Sequence, residues 1–166
     1  MYTQFQVVPV LDSLSQDELN RTLHSLNGML IPGGAQYFPD SIFYKASKYI
    51  YDWTTEHNNK GLYFPLWGTC LGFEAILYAE SKSNATQDIR FRCSANMANN
   101  LTVEEGAQDS KLLKNIDSKL YEAMQKEANV YNAHSWCVGR EHIDDPAGSL
   151  HKNFNLLVGL LHCYSG

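Results

Sequence analysis

The first half of the chain alternates three short apolar runs with three helix-forming segments, and few residues separate one from the next. "FQVVPV", Phe5 to Val10, is β-branched and then punctuated by Pro9, which reads as the end of a buried strand. Ser15-Gln16-Asp17-Glu18 has the form of a capping box, with the serine oxygen free to take the Glu18 N–H and the glutamate reaching back, so a helix is expected from about Ser15 to Ser25. In "NGMLIPGG", Asn27 to Gly34, the residues Met29, Leu30 and Ile31 form a second buried strand. Pro32-Gly33-Gly34 then makes a sharp turn that another backbone or a ligand can approach closely. Ile42, Phe43, Ala46, Tyr49, Ile50 and Trp53 recur at three- and four-residue steps, the stripe of an amphipathic helix over Ser41 to Asn58. "LYFPLW", Leu62 to Trp67, reads as a third buried strand, and the chain is helical again from Cys70 to about Glu80. That order implies an α/β fold, a mostly parallel sheet with helices on both faces.

From Ser81 to Asp109 the chain is polar and Asn-rich, with only "IRFRC" hinting at a strand, and is expected to run over the surface. A last helix is expected over about Ser110 to Glu127, with Leu113, Ile116, Leu120 and Met124 on one face. "YNAHSWCVG" and "NFNLLVGLL" are each short, the second able to be strand or helix. At 166 residues, 44% of them hydrophobic, one domain with a real core is the expectation.

A net charge of −5, with 13 basic residues scattered among 18 acidic ones, argues against a nucleic-acid partner. An anionic substrate has to be held by a few local cations. No apolar run approaches the roughly 20 residues of a membrane span, and "MYTQFQVVPV" lacks the basic and apolar regions of a signal peptide, so no membrane or targeting segment is expected in this sequence. Three sequons, at Asn20, Asn84 and Asn100, have meaning only in a secretory compartment. Cys70, Cys93, Cys137 and Cys163 are well separated and form no C-x-x-C pair; the last three read as buried or free thiols, with a disulfide expected only in a secreted protein.

Cys70 differs through its neighbours, "YFPLWGTCLGFEAIL". Ligands of parallel sheets bind beyond the carboxyl ends of the strands, where loops lead into helices. A tight turn from strand to helix lifts a side chain out of the surface, and Gly68 and Gly72 remove the Cβ atoms that would crowd it, the logic of a nucleophile elbow. The following helix presents its positive end to the sulfur, which favours thiolate over thiol. The Leu71 N–H, with a second donor from the Gly33-Gly34 turn if the two loops meet, can face a developing oxyanion. The bland alternative is a small, inert residue in a crowded turn.

"VVPV", "NGMLIPGG" and "YFPLWGTCLGFE" resemble in order and spacing the gamma-glutamyl hydrolases, the folate polyglutamate-cleaving branch of the class I glutamine amidotransferase-like fold. The likeness is close over about Val7 to Tyr78, and glutamate at the Glu74 position separates this branch from the amidotransferases, which usually carry glutamine there. "NAHSWCVGREHI" and "LHKNFNLL" are more weakly similar to the family's later His-containing segment. The resemblance implies a cysteine hydrolase of poly-γ-glutamylated folates in lysosomes, vacuoles or outside the cell. Cys70 is then the nucleophile, Gly34 and Leu71 supply oxyanion N–H groups, Glu74 lies beside the nucleophile and His134 helps hold substrate. No metal or organic cofactor is implied, and a homodimer is left open.

The family's Trp-His-Pro-Glu motif, whose histidine is the general base, does not occur in these 166 residues, and the family's first strand and helix would precede "FQVVPV", so a truncated domain is expected. Of the six histidines, His24 and His57 read as surface residues, His134 is the most plausible substitute base, and His162-Cys163 is a pair supported by composition alone. Two other functions fit the same elbow. One is a glutaminase domain feeding ammonia to a synthetase; the other is a binding protein that kept the pocket and lost the chemistry.

Overall fold

The computed structural model describes residues 6–36, 38, 40–83 and 88–159, the side chains of Ser94 and Ala95 excepted. Phe5, the sequon at Asn84 and the pair His162-Cys163 lie outside the described residues. The chain forms two compact units, one within residues 1–86 and one within residues 87–166.

The first unit runs α1 (Gln16–His24), β1 (Met29–Ile31), α2 (Ile42–Asn59), β2 (Leu66–Gly68) and α3 (Leu71–Glu80). The expected capping box closes α1: the Glu18 N–H donates to the Ser15 hydroxyl at 3.3 Å, and the Glu18 carboxylate accepts the Ser15 N–H at 2.9 Å. Leu19 and Leu23 are buried on its inner face. Ser41 caps α2 by accepting the Tyr44 N–H at 3.1 Å, and the expected apolar stripe buries Ala46, Ile50 and Trp53. The Trp53 indole donates to the Asn20 side-chain oxygen at 2.9 Å, tying α2 to α1 without leaving the ring nitrogen dry. In α3 burial extends almost round the whole helix, from Leu71 to Ala79, with Phe73 half-exposed. A helix apolar on most sides is an interior helix, which is why "LGFEAILYA" carries no polar stripe.

β1 and β2 are parallel and in register, Met29 opposite Leu66, Leu30 opposite Trp67 and Ile31 opposite Gly68. The third strand is shorter than "LYFPLW" suggests, and Leu62 and Tyr63 are exposed. Two causes delay it. The Asn58 amide occupies both backbone groups of Phe64, at 2.7 and 3.0 Å, and Pro65 has no N–H to donate. The strands are also not buried on both faces, since Leu30 and Trp67 are more than half exposed. "QVVPV", residues 6–10, is not a strand: Val7 is 87% exposed, and β1 pairs only with β2 among the described residues. Pro9 withholds the donor a ladder would need there.

The second unit holds β3 (Arg90–Asn99), β4 (Thr102–Val103), a 3-10 turn (Ala107–Asp109), α4 (Ser118–Lys126), β5 (Val130–Val138), α5 (Arg140–Asp144), α6 (Ser149–Asn153) and β6 (Val158–Gly159). β3 pairs antiparallel with β5, and β4 with β6. The described residues thus form a mixed α/β chain with one parallel pair and two antiparallel pairs rather than the mostly parallel sheet expected. "RFRCSANMAN" explains the difference: it mixes apolar with polar and charged residues and has a wet face, as antiparallel ladders allow, whereas parallel strands are near-continuous apolar runs. The expected surface excursion is thus half strand, because pairing with β5 outweighs the poor β-propensity of its asparagines. The last long helix is shorter at its start than expected. Asp117 accepts the N–H groups of Lys119 and Leu120 at 2.9 and 3.2 Å, setting the cap eight residues after Asp109 and leaving Leu113 in a turn outside the helix.

Candidate active site

Everything near Cys70 follows from how β2 turns into α3. Thr69 continues the ladder, its N–H donating to the Ile31 carbonyl at 3.0 Å, and its own carbonyl then accepts the Gly72 N–H at 2.9 Å. The chain has one residue in which to reverse into a helix. Cys70 takes φ 52° and ψ −113°, a conformation that L-residues avoid. The Glu74 N–H donates to the Cys70 carbonyl at 3.0 Å, so the strained residue is also the first anchor of α3. Its side chain makes no capping hydrogen bond, and the thiol is free and exposed.

The glycines are needed for space. A Cβ on Gly72 would lie 2.3 Å from the Ile31 carbonyl oxygen, and one on Gly68 would lie 2.6 Å from the Gly72 oxygen. The first turn of α3 is therefore pressed directly on β1, which no side chain would permit. A Cβ on Gly33 would meet the Cys70 Cβ at 3.0 Å and stand 3.7 Å from its sulfur, while one on Gly34 would stand 3.7 Å from the Leu71 side chain. The two loops meet. Neither the Gly34 nor the Leu71 N–H makes a hydrogen bond among the described residues.

The double-glycine loop is anchored downstream by Phe38, which packs edge-on against Tyr78 of α3 at 4.8 Å and at a tilt against Tyr44 of α2 at 4.7 Å. Burial and the neighbouring Tyr78 ring push the Tyr44 hydroxyl up to about 12. Tyr51 is shifted upward too, by burial first and then by its hydrogen bond to the Glu80 carboxylate. Glu74, in the first turn of α3, is 7% exposed.

Cys70, Gly34, Leu71 and Glu74 thus share the first unit, and His134 belongs to the second, on β5. His24 is exposed as expected, but His57 is half-buried and stacks on Trp53 at 3.7 Å. Both turn Nδ1 toward a carbonyl of their own helix at 2.8 Å. The second unit has a concave surface lined by Glu104, Glu105, Asp109, Arg140, Asp144 and His151. Both Glu104 oxygens bind Arg140, at 2.7 and 2.9 Å, and Asp144 binds it at 2.7 Å, raising its pKa further. Among its ionisable groups four carboxylates outnumber one guanidinium and one imidazole, which suits a polyanion poorly. The sequence reading missed the disulfide between Cys93 and Cys137, which lie on opposite strands of the β3–β5 ladder. The signal was weak: His134-Ser-Trp-Cys137 has ligand-like spacing, but its partner Cys93 is distant in sequence.

No protein-family model matches the chain. It is 32% identical to the gamma-glutamyl hydrolase of Mus musculus over 153 residues, 92% of this chain and 47% of that protein. Against gamma-glutamyl hydrolase B of Dictyostelium discoideum it is 30% identical over 155 residues, 92% of the chain and 44% of the relative. The Homo sapiens gamma-glutamyl hydrolase gives 30% over 156 residues, with 92% and 47% covered. The chain belongs to the gamma-glutamyl hydrolase family. It spans about half the length of the curated relatives it matches. The likeness to these gamma-glutamyl hydrolases covers both units rather than the elbow alone.

Proposed function

We propose that this chain carries the nucleophile-bearing part of a gamma-glutamyl hydrolase acting on folyl poly-γ-glutamates, within one class I glutamine amidotransferase-like domain that includes both units. The Cys70 thiolate attacks the γ-carbonyl carbon, the Gly34 and Leu71 N–H groups receive the oxyanion, and the amine leaves with a proton taken from water as the thioester forms on Cys70. Water then hydrolyses the thioester and frees the thiol. Glu74 braces the first turn beside the nucleophile, and His134 holds substrate. Lysosome, vacuole or the extracellular space is the compartment that goes with this reading.

The observation that carries the proposal is the strained, exposed Cys70 with the Gly33-Gly34 loop in contact beside it. Strain at a solvent-facing nucleophile has no packing purpose, and a side chain at Gly33 would press on Cys70. The Gly34 and Leu71 N–H groups, unbonded among the described residues, support the oxyanion role.

The sequence of 166 residues contains no Trp-His-Pro-Glu segment. Losing the base of a nucleophile unit costs on the order of three to six powers of ten in rate, so chain 1–166 by itself should acylate slowly and turn over far more slowly. The test is to incubate it with a folyl poly-γ-glutamate and follow shortened products by chromatography. Slow cleavage abolished by Cys70→Ala supports the proposal; cleavage surviving that substitution, or turnover at an ordinary enzyme rate, refutes it. Tight binding without any acylation would instead favour a binding protein that has lost its chemistry.

A further inference from the structure

Cys93 and Cys137 take no part in the chemistry assigned to Cys70, yet they share their place with a third metal-ligating side chain. The bulge in the β3–β5 ladder between Arg92 and Ala95 places Cys93 against β5, where it is joined to Cys137 with their Cα atoms 5.8 Å apart. His134 Nδ1 lies 3.5 Å from the Cys93 sulfur and 3.8 Å from the Cys137 sulfur. All three ligand atoms fall within 4.8 Å of one another. In a tetrahedral zinc site, with Zn–S of about 2.3 Å and Zn–N of about 2.0 Å, the nitrogen-to-sulfur edges are roughly 3.5 Å. Both edges are therefore already near metal-site length. Only the two sulfurs need to separate, to roughly 3.8 Å, which rotation about the Cα–Cβ bonds can provide.

We propose that reduction of the Cys93–Cys137 disulfide uncovers a Cys2His site for zinc. The reductant is a dithiol: it gives two electrons and two protons to the disulfide, yielding two thiols, and is itself oxidised to a disulfide. Zinc then displaces both thiol protons to solvent and is held by two thiolates and the His134 imidazole, a neutral set, with water in the fourth position. Nδ1 also lies 3.1 Å from the Trp136 carbonyl oxygen. It exchanges that hydrogen bond for the metal when the ring proton resides on Nε2. Half-buried Cys93 gives a reductant access, while Cys137 is buried behind it. Thiolate and imidazole ligands select zinc over magnesium or calcium, which prefer oxygen. The inference stands apart from the hydrolase reading, although zinc would occupy the imidazole which that reading assigns to substrate.

The test uses cobalt(II) as a visible stand-in for zinc on the full chain, reduced with a trialkylphosphine and freed of it under nitrogen. One equivalent should bind with thiolate-to-cobalt charge-transfer absorption and the ligand-field bands of a tetrahedral site, and zinc should displace it. Cys70→Ser should keep the signal, Cys93→Ser should abolish it, and His134→Ala should weaken binding at least tenfold. The disulfide form should give no signal. Equal signals from the disulfide form, from reduced Cys93→Ser or from His134→Ala would overturn the proposal. Absence of a cobalt signal from the reduced chain would overturn it as well.

Discussion

If Cys70 is held in a strained conformation, replacing it by glycine should make the protein more stable than replacing it by alanine. Both changes remove the thiol, and both remove little packing because the side chain is exposed. They differ in the Cβ, which alanine keeps at φ 52° and ψ −113°. A residue held in so sparsely populated a region costs on the order of 1–3 kcal/mol. Glycine adopts it freely, but the greater freedom of its unfolded chain opposes the gain by about 0.4–1 kcal/mol. Taking about 2 kcal/mol for the strain and about 0.7 for the entropy, Cys70→Gly should exceed Cys70→Ala by roughly 1 kcal/mol. In a chain this long that is a melting-point difference of about 2–4 °C. Urea unfolding of the two variants, compared at equal slope so that the midpoints report stability alone, measures it. A midpoint for Cys70→Ala equal to or above that of Cys70→Gly would mean that the backbone at this position is relaxed, and the elbow would lose its physical basis.

Gly72→Ala should destabilise by about 1–3 kcal/mol despite the helix propensity of alanine, because the new Cβ meets the Ile31 carbonyl at 2.3 Å and overpacking outweighs a gain of at most about 1 kcal/mol; chemical denaturation would show the sign, and a stabilised variant would contradict the close approach of α3 to β1. Tyr44 and Tyr51 are raised in the folded state, so their contribution is whole below about pH 10, their ordinary range, and is lost as pH rises through about 12 for Tyr44. Melting temperature should fall over that window, less steeply in Tyr44→Phe. At the acid end Glu18 is lowered by its hydrogen bonds to Ser15, so the capping box is whole above the ordinary glutamate range and should be lost as pH falls below that range through the lowered value, visible as fraying of α1 in amide exchange. Reducing Cys93–Cys137 releases a loop closed over a sequence separation of 44 residues and should cost the second unit up to about 4 kcal/mol, read from unfolding with and without reductant.

The parts of the fold that were legible in the sequence are those set by local physics. The Ser15 capping box, the stripe of α2 and the apolar run of α3 each state their structure within one or two turns, and the structure follows them closely. The elbow was legible too, since Gly68, Cys70 and Gly72 in a strand-to-helix transition leave few other conformations, and the meeting of the two glycine loops is its spatial consequence. What escaped depends on partners distant along the chain. β3 became a long strand because β5 lies beside it, the third apolar run was cut short by the Asn58 side chain, and the disulfide closed between residues that nothing local relates. Residues 6–10 show the converse: a β-branched run is not a strand where no neighbour takes its hydrogen bonds.

The central claim is that the thiol of Cys70, rather than any other nucleophile of the chain, forms a covalent bond to the γ-glutamyl carbonyl. Mixing the protein with a γ-glutamyl thioester or a folyl poly-γ-glutamate, quenching in acid and mapping the peptides by mass spectrometry reads that bond directly. The account predicts a γ-glutamyl adduct on the Cys70 peptide that disappears in Cys70→Ala and decays when the quench is delayed. An unmodified Cys70 under conditions where substrate is bound, or an adduct on another residue, would contradict it.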